Sequence, residues 1–157
     1  MFPHPILCEG GRRGTMEDRQ PFYTQKGYQL RDHPAVTGAM EDYLEMICRQ
    51  ARSEGYARVG WLARRLNVRP SSASRMVGQL RSLGLVSFER YGIVRPTEAG
   101  RRLGEYLLYR HDLLHRFFRW VNGTQDELEQ VEQVEHYINE TTLRNLEALM
   151  ERMGAPP

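Results

Sequence analysis

Glu132, Glu135 and His136 stand together in the stretch VEQVEHYI at 131–138. On a helix their i, i+3, i+4 spacing crowds two carboxylates and an imidazole onto one face within a turn. Val131, Val134 and Ile138, at i, i+3, i+7, mark a buried stripe beside them. Two carboxylates about 5 Å apart repel by roughly 3 kcal/mol at an effective dielectric near 20, and a divalent cation turns that repulsion into attraction. The trio is therefore read as one wall of a metal site. Two further groups carry the same chemistry: Asp42 and Glu45, an i, i+3 pair in MEDYLEMI, and His111 with His115 one turn later in YRHDLLHRF. Each taken alone is what an ordinary solvated helix face shows. If Asp42, Glu45, Glu132 and Glu135 converge with two of these histidines, four carboxylates meet two imidazoles with no thiolate, a donor set that suits Mn²⁺ or Fe²⁺ better than structural Zn²⁺. Six protein ligands exceed what one ion needs, so two ions per subunit are expected.

A second kind of chemistry lies in the middle of the chain. The net charge of +2 hides a segregation: residues 57–110 hold 11 arginines against 3 glutamates, net +8, whereas residues 111–157 hold 4 arginines against 9 acids, net −5. A basic centre points to a polyanion and an acidic end to a cation. In RPSSASRMVGQLRSLG (69–84), Pro70 suits a first helical turn, Ser71 or Ser72 can cap, and Gly84 ends the segment. Ser71, Ser72, Ser74 and Arg75 then occupy the helix start, the end that enters a DNA major groove. Serine hydroxyls suit phosphate or base-edge contacts, and Arg75 suits bidentate reading of guanine. Arg69 and Arg81 are expected on phosphates, with Arg90 and Arg95 reaching a neighbouring phosphate from a hairpin. The plain alternative is an arginine-rich surface that binds nothing specific.

These groups need elements to hold them. Residues 1–37 mix Pro, Gly, Arg and polar residues without periodicity and are expected to form a mobile tail; Met16 offers an alternative start. From Thr37 to Ser53, Met40, Leu44, Ile47 and Ala51 line one face of a helix that Gly55 ends. A short helix over 57–67 and the helix over 69–84 follow. LVSFER and GIVRPT then change the period to that of a hairpin around Tyr91-Gly92. A long helix begins at Thr97 and runs to about Val121, a fifth covers about 125–139, and a last one carries Leu143, Leu146, Met150 and Met153. Their 3, 4, 3 spacing makes an apolar edge that needs a partner, read as a dimer interface. No apolar run approaches the roughly 18 residues of a membrane span, and the N-terminus lacks a signal-peptide layout. Cys8 and Cys48 form no CxxC pair, so a reducing cytoplasm is the natural setting.

Helix, short helix, turn, helix, hairpin is the order of a winged helix-turn-helix. The stretches MEDYLEMI, GYARVGWLARRLNVRPSSASRMVGQL, YRHDLL and VEQVEHYI, across about residues 38–153, resemble the manganese-responsive branch of the diphtheria toxin repressor family, the iron-dependent repressors. The resemblance implies a mainly α chain: a winged helix-turn-helix DNA-binding domain (38–107) joined by a long helix to an all-α dimerisation and metal-binding domain (108–157). It places the metal ligands at Asp42, Glu45, His111, Glu132, Glu135 and His136, leaving His115 outside the set. The iron-responsive branch carries Met at the position of Asp42 and Cys at that of Glu132, so the two carboxylates here favour Mn²⁺, with Fe²⁺ the alternative. That branch also adds a C-terminal SH3-like domain, for which a chain stopping at Pro157 is expected to have no room. The function implied is that of a non-enzymatic, cytoplasmic repressor: a metal-activated homodimer on double-stranded operator DNA that controls manganese uptake genes. A winged-helix regulator sensing a small organic ligand is the rival; it would use an apolar pocket and would not need Asp42 or Glu132. A hydrolase built on a pair of ions is disfavoured, because no additional acid, base or nucleophile is evident.

Overall fold

A computed structural model describes residues 36–156. The tail expected at 1–37 lies outside the described residues save for its last two. Helix α1 spans Gly38–Glu54; Thr37 caps it by accepting from the Met40 amide at 3.3 Å, and Gly55 ends it at φ 77. Strand β1 is Ala57–Arg58 and helix α2 is Val59–Arg65. Helix α3 is Pro70–Ser82, with Pro70 in its first turn. Strands β2 (Val86–Phe88) and β3 (Ile93–Pro96) flank a 3-10 turn at Arg90–Gly92. Helix α4 runs unbroken over Glu98–Asn122, between a Thr97 cap and Gly123 at φ 66. Helix α5 is Leu128–Val134, followed by a 3-10 turn at Glu135–Tyr137, and α6 is Glu140–Arg152 with Asn139 as its cap.

Three expectations need correction. Residues 57–58 do not open a helix: Ala57 pairs with Val94 and Arg58 with Ile93, so the hairpin gains a third strand in the order β1-β3-β2. Ser71 and Ser72 do not cap α3. The cap position falls on Arg69, which makes no side-chain cap bond, because Pro70 takes the first helical position and needs no donor satisfied there. The helix expected over 125–139 is shorter and tightens to 3-10 pitch after Val134.

Two cores share α4. The first gathers Leu44 and Ile47 of α1, Leu62 of α2, Val77 and Leu80 of α3, Val94 of β3, and Leu107 and Leu108 of α4. The second gathers Leu113 and Leu114 of α4, Val131 of α5, and Leu143 and Met150 of α6. Leu143 and Met150, expected on the dimer edge, are interior residues that pack α6 onto its own chain. Leu146 packs partly against the same cluster, while Met153 is 64% exposed.

One glycine lets helix α4 meet α1 closely, and another lets it meet the turn between α3 and β2. A Cβ at Gly104 would lie 2.2 Å from Cys48 Sγ, and one at Gly100 would lie 1.8 Å from the Leu85 carbonyl oxygen. The Cys48 thiol donates to the Gly100 carbonyl at 3.6 Å. This approach sets the polar N-terminal half of α1 against the middle of α4, where the candidate ligands lie.

Candidate metal centre

Glu45 leaves α1 three positions after Asp42 and turns inward to α4; it is buried, as are His111 and Glu135. His111 Nδ1 stands 3.1 Å from Glu135 Oε2 and 3.8 Å from Glu45 Oε1. Donor atoms of Glu45, His111 and Glu135 lie within 4.8 Å of one another, and so do those of Asp42, Glu135 and His136. His136 Nε2 is 2.9 Å from Asp42 Oδ1. Glu135, 2% exposed, belongs to both groups, and one carboxylate with two oxygens can serve two neighbouring ions.

Five of the six expected ligands are thus brought together. Glu132 is not: it is exposed on α5 and joins neither group. Val131 and Glu135, four residues apart, share the face of the segment turned to the core. Glu132 lies about 100° around the helix from Val131 and is exposed, whereas Glu135 and His136 lie in the 3-10 turn that follows. His115 also stands apart, with Nε2 3.3 Å from Asp126 Oδ1.

The electrostatics are those of crowded carboxylates. Burial, reinforced by the neighbouring Glu135, raises the Glu45 carboxyl above its usual range against the opposing hydrogen bond from Arg49 at 2.8 Å. The hydrogen bond to Glu135 raises the His111 imidazole despite burial. Hydrogen bonds to Asp42 and then Glu41 push His136 up to about 9. The carboxylates thus have imidazoles for neighbours, and a divalent cation would serve them better because it ligates several oxygens at once. Oxygen-rich donors with one imidazole per group, and no thiolate, fit Mn²⁺ or Fe²⁺.

Two residues of the centre were missed by sequence reasoning. Arg110, 3% exposed, donates from Nη2 to Glu41 Oε2 at 2.8 Å. Burial alone would raise Glu41, but His136 and Arg110 overcome it and hold the carboxyl below its usual range. A signal existed: Arg110 falls on the Leu103, Leu107, Leu114 stripe of α4, where an aliphatic side chain is expected.

On the basic side, Ser71, Ser74, Arg75, Arg69, Arg81 and Arg90 are exposed, and Ser72 is half-buried. Among the described residues no carboxylate pairs with Arg69, Arg75, Arg81 or Arg90. Arg95 is different. Its Nε donates to Glu89 at 3.2 Å, its Nη1 donates to the Gly55 carbonyl at 2.8 Å, and its guanidinium covers the Tyr56 ring. It ties the hairpin to the end of α1. Asn67, at φ 51, makes the turn between α2 and α3, a conformation asparagine tolerates.

Comparison with known proteins agrees with this layout. Residues 35–94 match the family model described as iron dependent repressor, N-terminal DNA binding domain. Residues 97–157 match iron dependent repressor, metal binding and dimerisation domain. The chain is 38% identical over 104 residues to the HTH-type transcriptional regulator MntR of Geobacillus kaustophilus, covering 66% of this chain and 74% of that protein. It is 34% identical over 122 residues to the regulator of the same name from Lysinibacillus sphaericus, covering 77% and 88%. Among solved structures, IdeR of T. acidophilum superposes with a TM-score of 0.61 at 28% identity, covering 76% of this chain and 55% of that one. A manganese-dependent transcriptional repressor in complex with manganese superposes with a TM-score of 0.63 at 28% identity, covering 74% and 53%. The chain thus spans about half the length of these two solved structures.

Proposed function

Because the chain belongs to the iron dependent repressor family, we propose that it is a manganese-responsive transcriptional repressor, not an enzyme, acting in the cytoplasm as a homodimer on operator DNA of manganese uptake genes. The observation that carries this reading is the convergence of Asp42 and Glu45 from the DNA-binding head, His111 from α4, and Glu135 and His136 from the turn after α5. Glu135, common to both donor groups, supports a pair of ions per subunit. Asp42, where the iron-responsive branch carries Met, favours Mn²⁺ over Fe²⁺. Between α1 and α4, polar contacts run from Glu41 to Arg110 and from Glu45 to His111, which favours an ion over an apolar organic effector there.

These residues come from three elements, so an ion held among them staples the head to the base. In a two-fold dimer this fixes the separation of the two α3 helices. Productive binding needs them about 34 Å apart, one turn of DNA. Heads that sample several spacings when unliganded bind weakly, and the ion raises apparent affinity by enlarging the competent fraction. Ser71, Ser74 and Arg75 face bases or phosphates, while Arg69, Arg81 and Arg90 take phosphates. The test is calorimetric Mn²⁺ titration paired with gel shift on the chain's own upstream DNA. About two ions per subunit and a chelator-reversible shift are expected; equal DNA affinity with and without Mn²⁺ refutes the staple.

A further inference from the structure

Arg110 is a buried cation outside both donor groups. Its Nη2 donates to Glu41 Oε2 at 2.8 Å and comes within 3.3 Å of His136 Nδ1, while its Nε is buried without a hydrogen-bond partner. The same Glu41 oxygen lies 2.8 Å from His136 Nδ1. A buried ion pair with an unsatisfied donor is a poor device for stability, since well-packed apolar side chains of similar size often serve as well or better. What the pair does instead is fix a ring. With Nδ1 turned to Glu41, the opposite nitrogen, Nε2, faces Asp42 at 2.9 Å. A ligating histidine commonly donates its other N–H to a carboxylate, which sets its tautomer and aim.

We infer that Glu41, anchored by Arg110, is the outer carboxylate that orients His136, so that Nε2 is delivered to a divalent cation at the Asp42–Glu135–His136 group. Both are positioning residues; neither touches the ion. The inference rests on the metal reading above. It is specific to one of the two groups, because Glu41 makes no contact with His111 or Glu45 among the hydrogen bonds and ion pairs of the described residues.

The experiment titrates Mn²⁺ into full-length protein by calorimetry. The two sites are assigned by parallel titrations of Asp42→Ala and Glu45→Ala, and thermal unfolding is recorded without metal. The double variant Glu41→Leu with Arg110→Met removes the pair without stranding a charge. Its affinity at the Asp42 site should fall about 10- to 100-fold, with the Glu45 site within about threefold and the thermal midpoint nearly unchanged. Equal loss at both sites, or loss at neither, overturns the inference. If the double variant does not fold, Glu41→Gln decides alone: the amide still accepts from Arg110, so a smaller loss confined to the Asp42 site supports the inference and no loss overturns it. Wild-type protein that takes up no Mn²⁺ overturns the metal reading itself, and this inference with it.

Discussion

Glu135 Oε2 lies 3.1 Å from His111 Nδ1, joining the turn after α5 to the centre of α4, and the same carboxylate also belongs with Asp42 and His136. One side chain common to two donor groups should matter more than any other in the centre. Glu135→Ala is expected to abolish the uptake of both ions and all Mn²⁺-dependent operator binding. Asp42→Ala should weaken that binding at least tenfold without unfolding the protein, because the Asp42 side chain is 45% exposed. Glu132→Ala should cost less than either. Calorimetric stoichiometry and gel shift rank the three, and a Glu132 effect as large as that of Glu135 would restore the sixth ligand.

On the proposed function, the basic surface should separate into reading and holding residues. Arg75→Ala should relax sequence preference at one position, by about 1–3 kcal/mol of discrimination. Arg90→Ala should weaken binding on all sequences and reduce the salt slope by about one. Arg95→Ala should instead lower thermal stability, by about 1 kcal/mol for the lost bond to the Gly55 carbonyl, with a smaller change in salt slope. Salt-dependent fluorescence anisotropy together with thermal melts distinguishes them.

These distinctions show how far the sequence reaches. Thr37 with Gly55, and Thr97 with Gly123, bracket α1 and α4 because capping and left-handed backbone are local properties that residue types announce. The two-residue β1 was not legible: Ala57–Arg58 is extended only because β3 arrives from far along the chain to pair with it. Five ligands could be read as metal-binding types, but their meeting rests on tertiary packing at Gly100 and Gly104. Glu132 stands exposed outside both groups, and the helical period does not announce that the segment tightens to 3-10 pitch after Val134. The Leu143 and Met150 edge has the spacing of an interface, and spacing alone does not tell an intramolecular partner from a second copy.

Leu143→Ala should accordingly destabilise the subunit by about 2–5 kcal/mol, as cavities in packed cores do. Met153→Ala should leave unfolding almost unchanged. Chemical denaturation of both variants, compared with their sedimentation behaviour, tells interior residues from interface residues.

Close approach at Gly104 makes a paired prediction. Gly104→Ala forces α1 and α4 apart and should cost about 1–3 kcal/mol through overpacking, part of which Cys48→Ala restores by removing the Sγ that the new methyl meets. Burial pushes the Cys48 thiol up to about 11. At pH 8 it therefore stays protonated and enclosed, and peptide mapping after iodoacetamide should find it unmodified in native protein and alkylated after unfolding.

The 25 residues of α4 contain no proline and no break between their caps. On the proposed staple, such a rod carries a movement made at one end through to the other. In that proposal the place for a swing is the seam of α1 on α4, a short distance from the carboxylates. An ion clamped beside a pivot acts on a short arm, so a shift of a fraction of an ångström there is magnified along the rod into a displacement of the whole reading surface.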